Sequence, residues 1–231
     1  MAQLNYRKIE YYNKMKKRRR KTFSISSILL ILIIFSIGHY IIYRENNKAK
    51  YLLNMGSGNY KIEVLKDKLE EYEKQLTINE IDYKWGDNLV DGNKPTGLVL
   101  HHTASTTISP EAINDIHIQE GWGGIGYHFY IRKDGTIYRG RPENIIGAHA
   151  IGRNKDSIGI CLEGNFENEV PTEAQKNSLV KISTDMIIKY NLEDVIGHRD
   201  VYPTLCPGEN FPMEEIKNRI VEEQLKMVND A

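Results

Sequence analysis

Apolar and polar positions follow three patterns along this chain. From Phe23 to Tyr43 the apolar run is continuous: FSISSILLILIIFSIGHYIIY carries no formal charge apart from His39 when protonated. About 20 such residues span a bilayer core, whereas the apolar region of a signal peptide is about 7–15 long. No small-residue cleavage site follows, so residues 23–43 read as an uncleaved transmembrane helix, with Tyr40 and Tyr43 suited to its far interface. The second pattern is helical. Ile62, Leu65, Leu69, Tyr72 and Leu76 recur at spacings of three and four, and Glu70 and Lys74 form an i,i+4 pair. This stripe is shorter than the three or four heptads that identify a coiled coil. It predicts a helical stalk within residues 44–80, broken near Gly56-Ser57-Gly58, with weak self-association through its apolar face.

The third pattern, from residue 81 onward, mixes short strands with helices. Ile81, Tyr83 and Trp85 open it, and a loop at Asp91–Pro95 leads into the buried run Leu98-Val99-Leu100, which ends at His101-His102. Ser109 before Pro110 is an N-cap and first-turn signature for a helix whose apolar content comes largely from Ile113, Ile116 and Ile118. Tyr127–Arg132 and Thr136–Arg139 flank Asp134-Gly135 and predict a hairpin. Ser157–Glu163 is apolar enough for a central strand. Thr172 with Gln175 forms a capping box that opens a helix to about Tyr190. Val195-Ile196 is a short strand and Pro212–Met227 a final helix. This order predicts an α/β fold with a central mixed β-sheet flanked by helices over 81–231, preceded by the transmembrane helix and the stalk.

Charge changes the picture only at the N-terminus. The 231 residues sum to a formal net charge of zero, yet Lys14, Lys16, Lys17, Arg18, Arg19, Arg20 and Lys21 form a basic block. A block of this kind suits nucleic acid, a membrane surface or a topology signal. The apolar run that follows favours the topology signal, giving residues 1–22 as a cytoplasmic tail and the rest of the chain beyond the membrane. No nucleic-acid partner is expected, because neither aromatic interleaving nor a base-reading motif accompanies the block.

The candidate chemistry begins at Gly197–Pro207, where His198 and Cys206 stand eight residues apart. A neutral imidazole and a thiolate are ligands that zinc selects, and a catalytic zinc needs a third protein ligand and an open position. His101 and His102, at the mouth of a strand, both offer the third. Their side chains point to opposite faces of that strand. The alternative for Cys206 is a disulfide with Cys161. Against that, Cys161 lies within an apolar run and reads as a small buried hydrophobe, so Cys206 is read as a metal ligand.

Further motifs carry a resemblance. Gly121-Trp122-Gly123-Gly124-Ile125-Gly126-Tyr127-His128-Phe129 is followed by Lys133–Thr136, Gly147-Ala148-His149-Ala150 and Ser157–Leu162. With His101 before them and His198 to Cys206 after, the chain resembles the type 2 N-acetylmuramoyl-L-alanine amidases over roughly residues 81–225. Phage T7 lysozyme and the peptidoglycan recognition proteins belong to that family. The resemblance implies hydrolysis of the bond between N-acetylmuramic acid and L-alanine in peptidoglycan, with one Zn2+ held by His101, His198 and Cys206. A zinc ion polarises the scissile carbonyl and lowers the pKa of water from about 16 toward about 7. The resemblance also implies that Tyr127 stabilises the oxyanion. Thr204 stands where the T7 enzyme has a lysine and active recognition proteins often have threonine, and so offers a neutral donor in place of a charged one. His149 and Trp122 are expected to line the substrate groove, a place in the core being the alternative for each. The alternative function is a peptidoglycan receptor that binds without cutting; such members typically lack the cysteine ligand that this chain has.

Two other motifs fail on context. Gly121-x-Gly123-x-x-Gly126 satisfies the dinucleotide fingerprint in form, but it follows a helix and leads into a strand. His198-Arg199-Asp200 echoes a kinase catalytic loop, yet Leu205 holds the place of its asparagine.

Overall fold

The structure is a computed structural model that describes residues 65–229, together with Asn13. Among these residues no helix is long and apolar enough to cross a membrane. The run 23–43, the basic tail and the Gly56–Gly58 break lie outside the described residues.

In chain order the elements are α1 (Leu69–Glu73), β1 (Ile78–Asn79), β2 (Gly97–His102), α2 (Pro110–Gln119), β3 (Phe129–Ile131), β4 (Ile137–Arg139), β5 (Ser157–Leu162), α3 (Glu173–Tyr190), β6 (Asp194–Gly197), a 3-10 turn (His198–Asp200) and α4 (Met213–Asn229). The sheet is six-stranded, ordered β1-β4-β3-β5-β2-β6. Only β3 and β4 pair antiparallel, as the hairpin around Asp134-Gly135 predicts; every other pairing is parallel. The mixed sheet flanked by helices is therefore observed.

Both central strands, β2 and β5, are buried along their whole length, so helices must cover both faces of the sheet. On one face Leu98, Leu100, Ile158, Ile160 and Leu162 pack against Leu179, Ile182 and Met186 of α3 and Ile216 and Ile220 of α4. On the other, Tyr130 and Cys161 meet Tyr83, Ile113 and Ile125. The period-2 alternation of β2 thus turns Leu98 and Leu100 to the first face and Val99 and His101 to the second. Local signals set the helix ends. The Ser109 side chain accepts from Ala112 N–H at α2, and the Thr172–Gln175 capping box closes reciprocally at α3, which stops at Asn191 in the left-handed region. In α2, Ile113 is buried but Ile116 is 46% exposed, and Asn114 and His117 take the inward positions instead.

The stalk reading needs correction for the described part of that segment. Ile78–Asn79, assigned to the stalk by its sequence, is the edge strand beside β4. Leu65, Leu69, Tyr72 and Leu76 do form one stripe, but Tyr72 is buried with Ile188 of α3 and Met227 of α4, and the three leucines pack around them. Lys68 Nζ donates to Met227 O at 2.5 Å and Tyr72 OH to Glu223 Oε1 at 3.2 Å. The stripe is covered by the domain's own helices, which removes it as a face for self-association. Tyr72→Ala is expected to destabilise the domain by about 3 kcal/mol, the cost of truncating a buried aromatic. Urea unfolding followed by circular dichroism measures it; an unchanged midpoint would show that α1 contributes nothing to the fold.

Candidate metal centre

Three side chains from distant parts of the chain converge beyond the ends of β2 and β6. The two strands run parallel with Leu100 opposite Gly197, so His101 and His198 follow side by side, their ring centroids 4.7 Å apart. The loop from His198 then doubles back. Arg199 N–H donates to Cys206 O at 2.8 Å, the Arg199 guanidinium binds Gly208 O, and Asp200 Oδ2 accepts from Gly197 N–H at 2.8 Å. This closure puts Cys206 Sγ 3.6 Å from His101 Nδ1 and 3.4 Å from His102 N, whose N–H donates to the sulfur.

The ligand atoms of His101, His198 and Cys206 all lie within 4.8 Å of one another. Tetrahedral zinc, with Zn–N of about 2.0 Å and Zn–S of about 2.3 Å, separates its ligand atoms by about 3.5 Å. The sulfur–nitrogen spacing therefore fits such an ion. Among the described residues the group has three metal-binding side chains, not four. Protonation suits the role as well. Burial, with the neighbouring His198 and His102, holds His101 well below the usual imidazole range, and burial lowers His198 too, so both lone pairs are available. Burial pushes the Cys206 thiol up to about 11, against the opposing pull of the His102 N–H and Arg199. His101 is buried, while His198 and Cys206 are partly exposed, so the group opens to solvent on their side.

Of the other residues picked out from the sequence, Tyr127 and Thr204 lie at this centre. Tyr127 enters β3 with its ring 5.1 Å from that of His101. Burial, followed by the adjacent Cys161 and Cys206, raises its hydroxyl well above the usual range, leaving a neutral O–H donor. Thr204 Oγ1 accepts from Cys206 N–H at 3.3 Å, which shapes the loop and leaves the hydroxyl proton free to donate. Trp122 is 44% exposed and rests on His117 at 4.6 Å between ring centroids. His149 does not line a groove. Its ring is buried behind His101, with His149 Nδ1 3.1 Å from His101 Nε2. His102 turns to the opposite face, where its Nδ1 accepts from Phe166 N–H at 3.1 Å. Cys161 is free and buried on β5, with no disulfide to Cys206.

Sequence reading missed Arg141, which ties together the loops around Trp122–Ile125 and Ile146. Its guanidinium is buried and donates to Trp122 O, Gly124 O, Ile125 O and Ile146 O at 2.6–3.0 Å. With no carboxylate bonded to it, burial lowers its pKa to about 10, so it remains charged at neutral pH. His117 Nδ1 and Asn114 Oδ1 accept from Gly126 N–H and Ile125 N–H and fix the same loop from α2. No periodicity marks Arg141, which lies between Gly140 and Pro142; Asn114 and His117 could have been found one and four positions after Ile113 on α2. Arg141→Met leaves four carbonyls without their donor and is expected to cost about 3 kcal/mol or more. Denaturant unfolding measures this, and a loss below about 1 kcal/mol would show that water replaces the guanidinium.

Comparison with known proteins agrees with this geometry. The N-acetylmuramoyl-L-alanine amidase family model matches residues 91–209, just over half of the chain. The endolysin of Enterobacteria phage T3 is 35% identical over 122 residues, covering 51% of this chain and 81% of the phage protein. Peptidoglycan-recognition protein SC2 of Drosophila melanogaster is 37% identical over 125 residues, covering 49% and 68%. The solved structure of N-acetylmuramoyl-L-alanine amidase LysC from Clostridium intestinale URNW superposes with a TM-score of 0.62 at 50% identity, covering 63% of this chain and 97% of that one. On the extent of the family match and the share of each relative that is covered, this chain belongs to the N-acetylmuramoyl-L-alanine amidase family.

Proposed function

We propose that the domain hydrolyses the amide joining the lactyl group of N-acetylmuramic acid to L-alanine in peptidoglycan, with one zinc ion held by His101, His198 and Cys206. The observation that carries this reading is the set of three converging soft ligands, the number that marks catalytic zinc sites as against structural ones with four. Cys206 in that set favours cutting over binding alone. Zinc bound there supplies Lewis-acid polarisation of the scissile carbonyl and makes water a nucleophile near neutral pH.

The chain's own residues supply the rest. Tyr127, neutral and beside His101, donates its phenolic hydrogen to the carbonyl oxygen as negative charge develops there. Thr204 offers a second neutral donor from the loop that delivers Cys206. Charge stabilisation then falls to the metal and to these hydroxyl donors. Trp122, on a loop pinned by Arg141, gives the substrate a flat apolar wall. The apolar run 23–43 and the basic block before it support a single-pass anchor with the N-terminus cytoplasmic and the domain outside, where peptidoglycan lies.

Incubated with purified sacculi and zinc, the full chain is expected to release stem peptides with free L-alanine amino termini, and Cys206→Ser to lower that release by more than about 100-fold. Absence of new termini from the unmutated, zinc-loaded chain would refute hydrolysis, and full activity in the serine variant would refute the ligand assignment. Metal uptake should also depend on pH with a defined sign. The thiol, raised to about 11, holds its proton at neutrality and must lose it to bind, whereas the histidines are already neutral. Zinc affinity therefore rises about tenfold per unit between about pH 7 and pH 9, as measured by chelator competition. A flat profile would mean that binding releases no proton from the cysteine, against its assignment as a ligand.

A further inference from the structure

The side chain of His149 makes one hydrogen bond, and that bond goes to a proposed metal ligand. His149 Nδ1 lies 3.1 Å from His101 Nε2, the two rings meeting edge to face at 85°. Its other nitrogen, Nε2, is buried and has no partner among the described residues. The neighbouring imidazole offers no relief. His128, 5.5 Å away between centroids, accepts from Gly159 N–H at its Nδ1 and faces Ile145 O and Asn93 with its Nε2.

The backbone is built around this ring. Gly159 of β5 stands opposite Val99, two positions before the His101–Cys161 pair and so on the same face of the sheet. A Cβ there would lie 2.6 Å from the His149 ring, and one on Gly147 would lie 2.5 Å from it. Both positions leave the space that the imidazole fills. Asn154 Oδ1 accepts from His149 N–H and Ala150 N–H at 2.8 Å each, fixing the segment that carries the ring.

We propose that His149 is a positioning residue for the metal: its Nδ1 accepts the Nε2–H of His101 and so fixes the tautomer and ring plane that turn His101 Nδ1 toward the ion. This rests on the zinc reading above. The hydrogen bond can run in only two directions. If His149 donated, His101 would have to carry its proton on Nδ1, the atom 3.6 Å from Cys206 Sγ, and would lose the lone pair that faces the metal. If His149 accepts, both rings carry their protons on Nε2 and His101 is ready to ligate. A metal-bound histidine ordinarily donates its second N–H to a carboxylate, a backbone carbonyl or water. Here the acceptor is another imidazole, and the cost is an unpartnered N–H on its far side.

The test measures zinc affinity and cobalt spectra of the full chain and of two variants, with long-range 1H–15N NMR of the zinc-loaded, unmutated chain. His149→Phe should weaken zinc binding about 10- to 100-fold and shift the cobalt absorption bands. His149→Asn, whose amide oxygen can take the place of Nδ1, should recover binding to within about fivefold. The NMR correlation should show His149 protonated at Nε2 and bare at Nδ1. A folded phenylalanine variant with unchanged affinity and cobalt spectrum would overturn the proposal, as would Nδ1 protonation of His149 in the zinc-loaded chain. The second result holds even if the phenylalanine variant fails to fold. An unmutated chain that takes up no zinc would sink both the zinc reading and this inference, whereas normal uptake with no effect of the variants would sink this inference alone.

Discussion

Parallel pairing of β2 with β6 runs in register from Gly97 opposite Asp194 to Leu100 opposite Gly197, and the residue that follows that last pair on each side is a histidine. A slip of one residue in β2 would turn His101 into the face that α3 and α4 cover and bring Leu98 and Leu100 to the other. The slip is disfavoured by burial, because Leu98, Leu100, Ile158 and Ile160 all have to stay on the face that α3 and α4 cover. The hydrophobic core therefore sets where the two histidines stand. The same sheet explains where the site lies: the open ends of parallel strands are where loops can converge.

The third ligand comes by a different route. Cys206 is delivered by a loop shaped by its own hydrogen bonds, through Arg199, Asp200 and Thr204, and its sulfur then accepts from His102 N–H at the end of β2. One half of the centre is thus fixed by sheet register and the other by local hydrogen bonds. The groove side follows a third principle, in which a buried cation gathers four carbonyls that could not pair with one another.

What could be read from the sequence follows this division. Short-range signals were legible: the β3–β4 hairpin from Asp134-Gly135, the α3 start from Thr172 and Gln175, and the opposite faces of His101 and His102 from strand alternation. Residue types in a loop pointed to His198 and Cys206 as ligands of one kind of ion, while the choice of His101 over His102 came from the family resemblance. Illegible were contacts whose partners lie far along the chain. Ile78–Asn79 is too short to show a strand period, and only Ile137 and Tyr138 make it one. The stripe ending at Leu76 could show that one face needs cover, but not that Ile188 and Met227 provide it. Arg141 and His149 were missed or misplaced for a similar reason. A charged or aromatic polar side chain in a loop looks solvent-facing until the carbonyls or the imidazole it serves are brought to it.

The docking of residues 65–79 onto α3, α4 and β4 changes what kind of object this domain is. A catalytic unit carried on a spacer could be cut off and moved to another carrier without loss. Here residues 65–79 belong to the globule, so excision after residue 80 would strip away an edge strand and bare the apolar patch at Ile188 and Met227. Drift in that stretch is then limited by the fit of its side chains as well as by its length, and grafting experiments should count it with the enzyme and not with the tether.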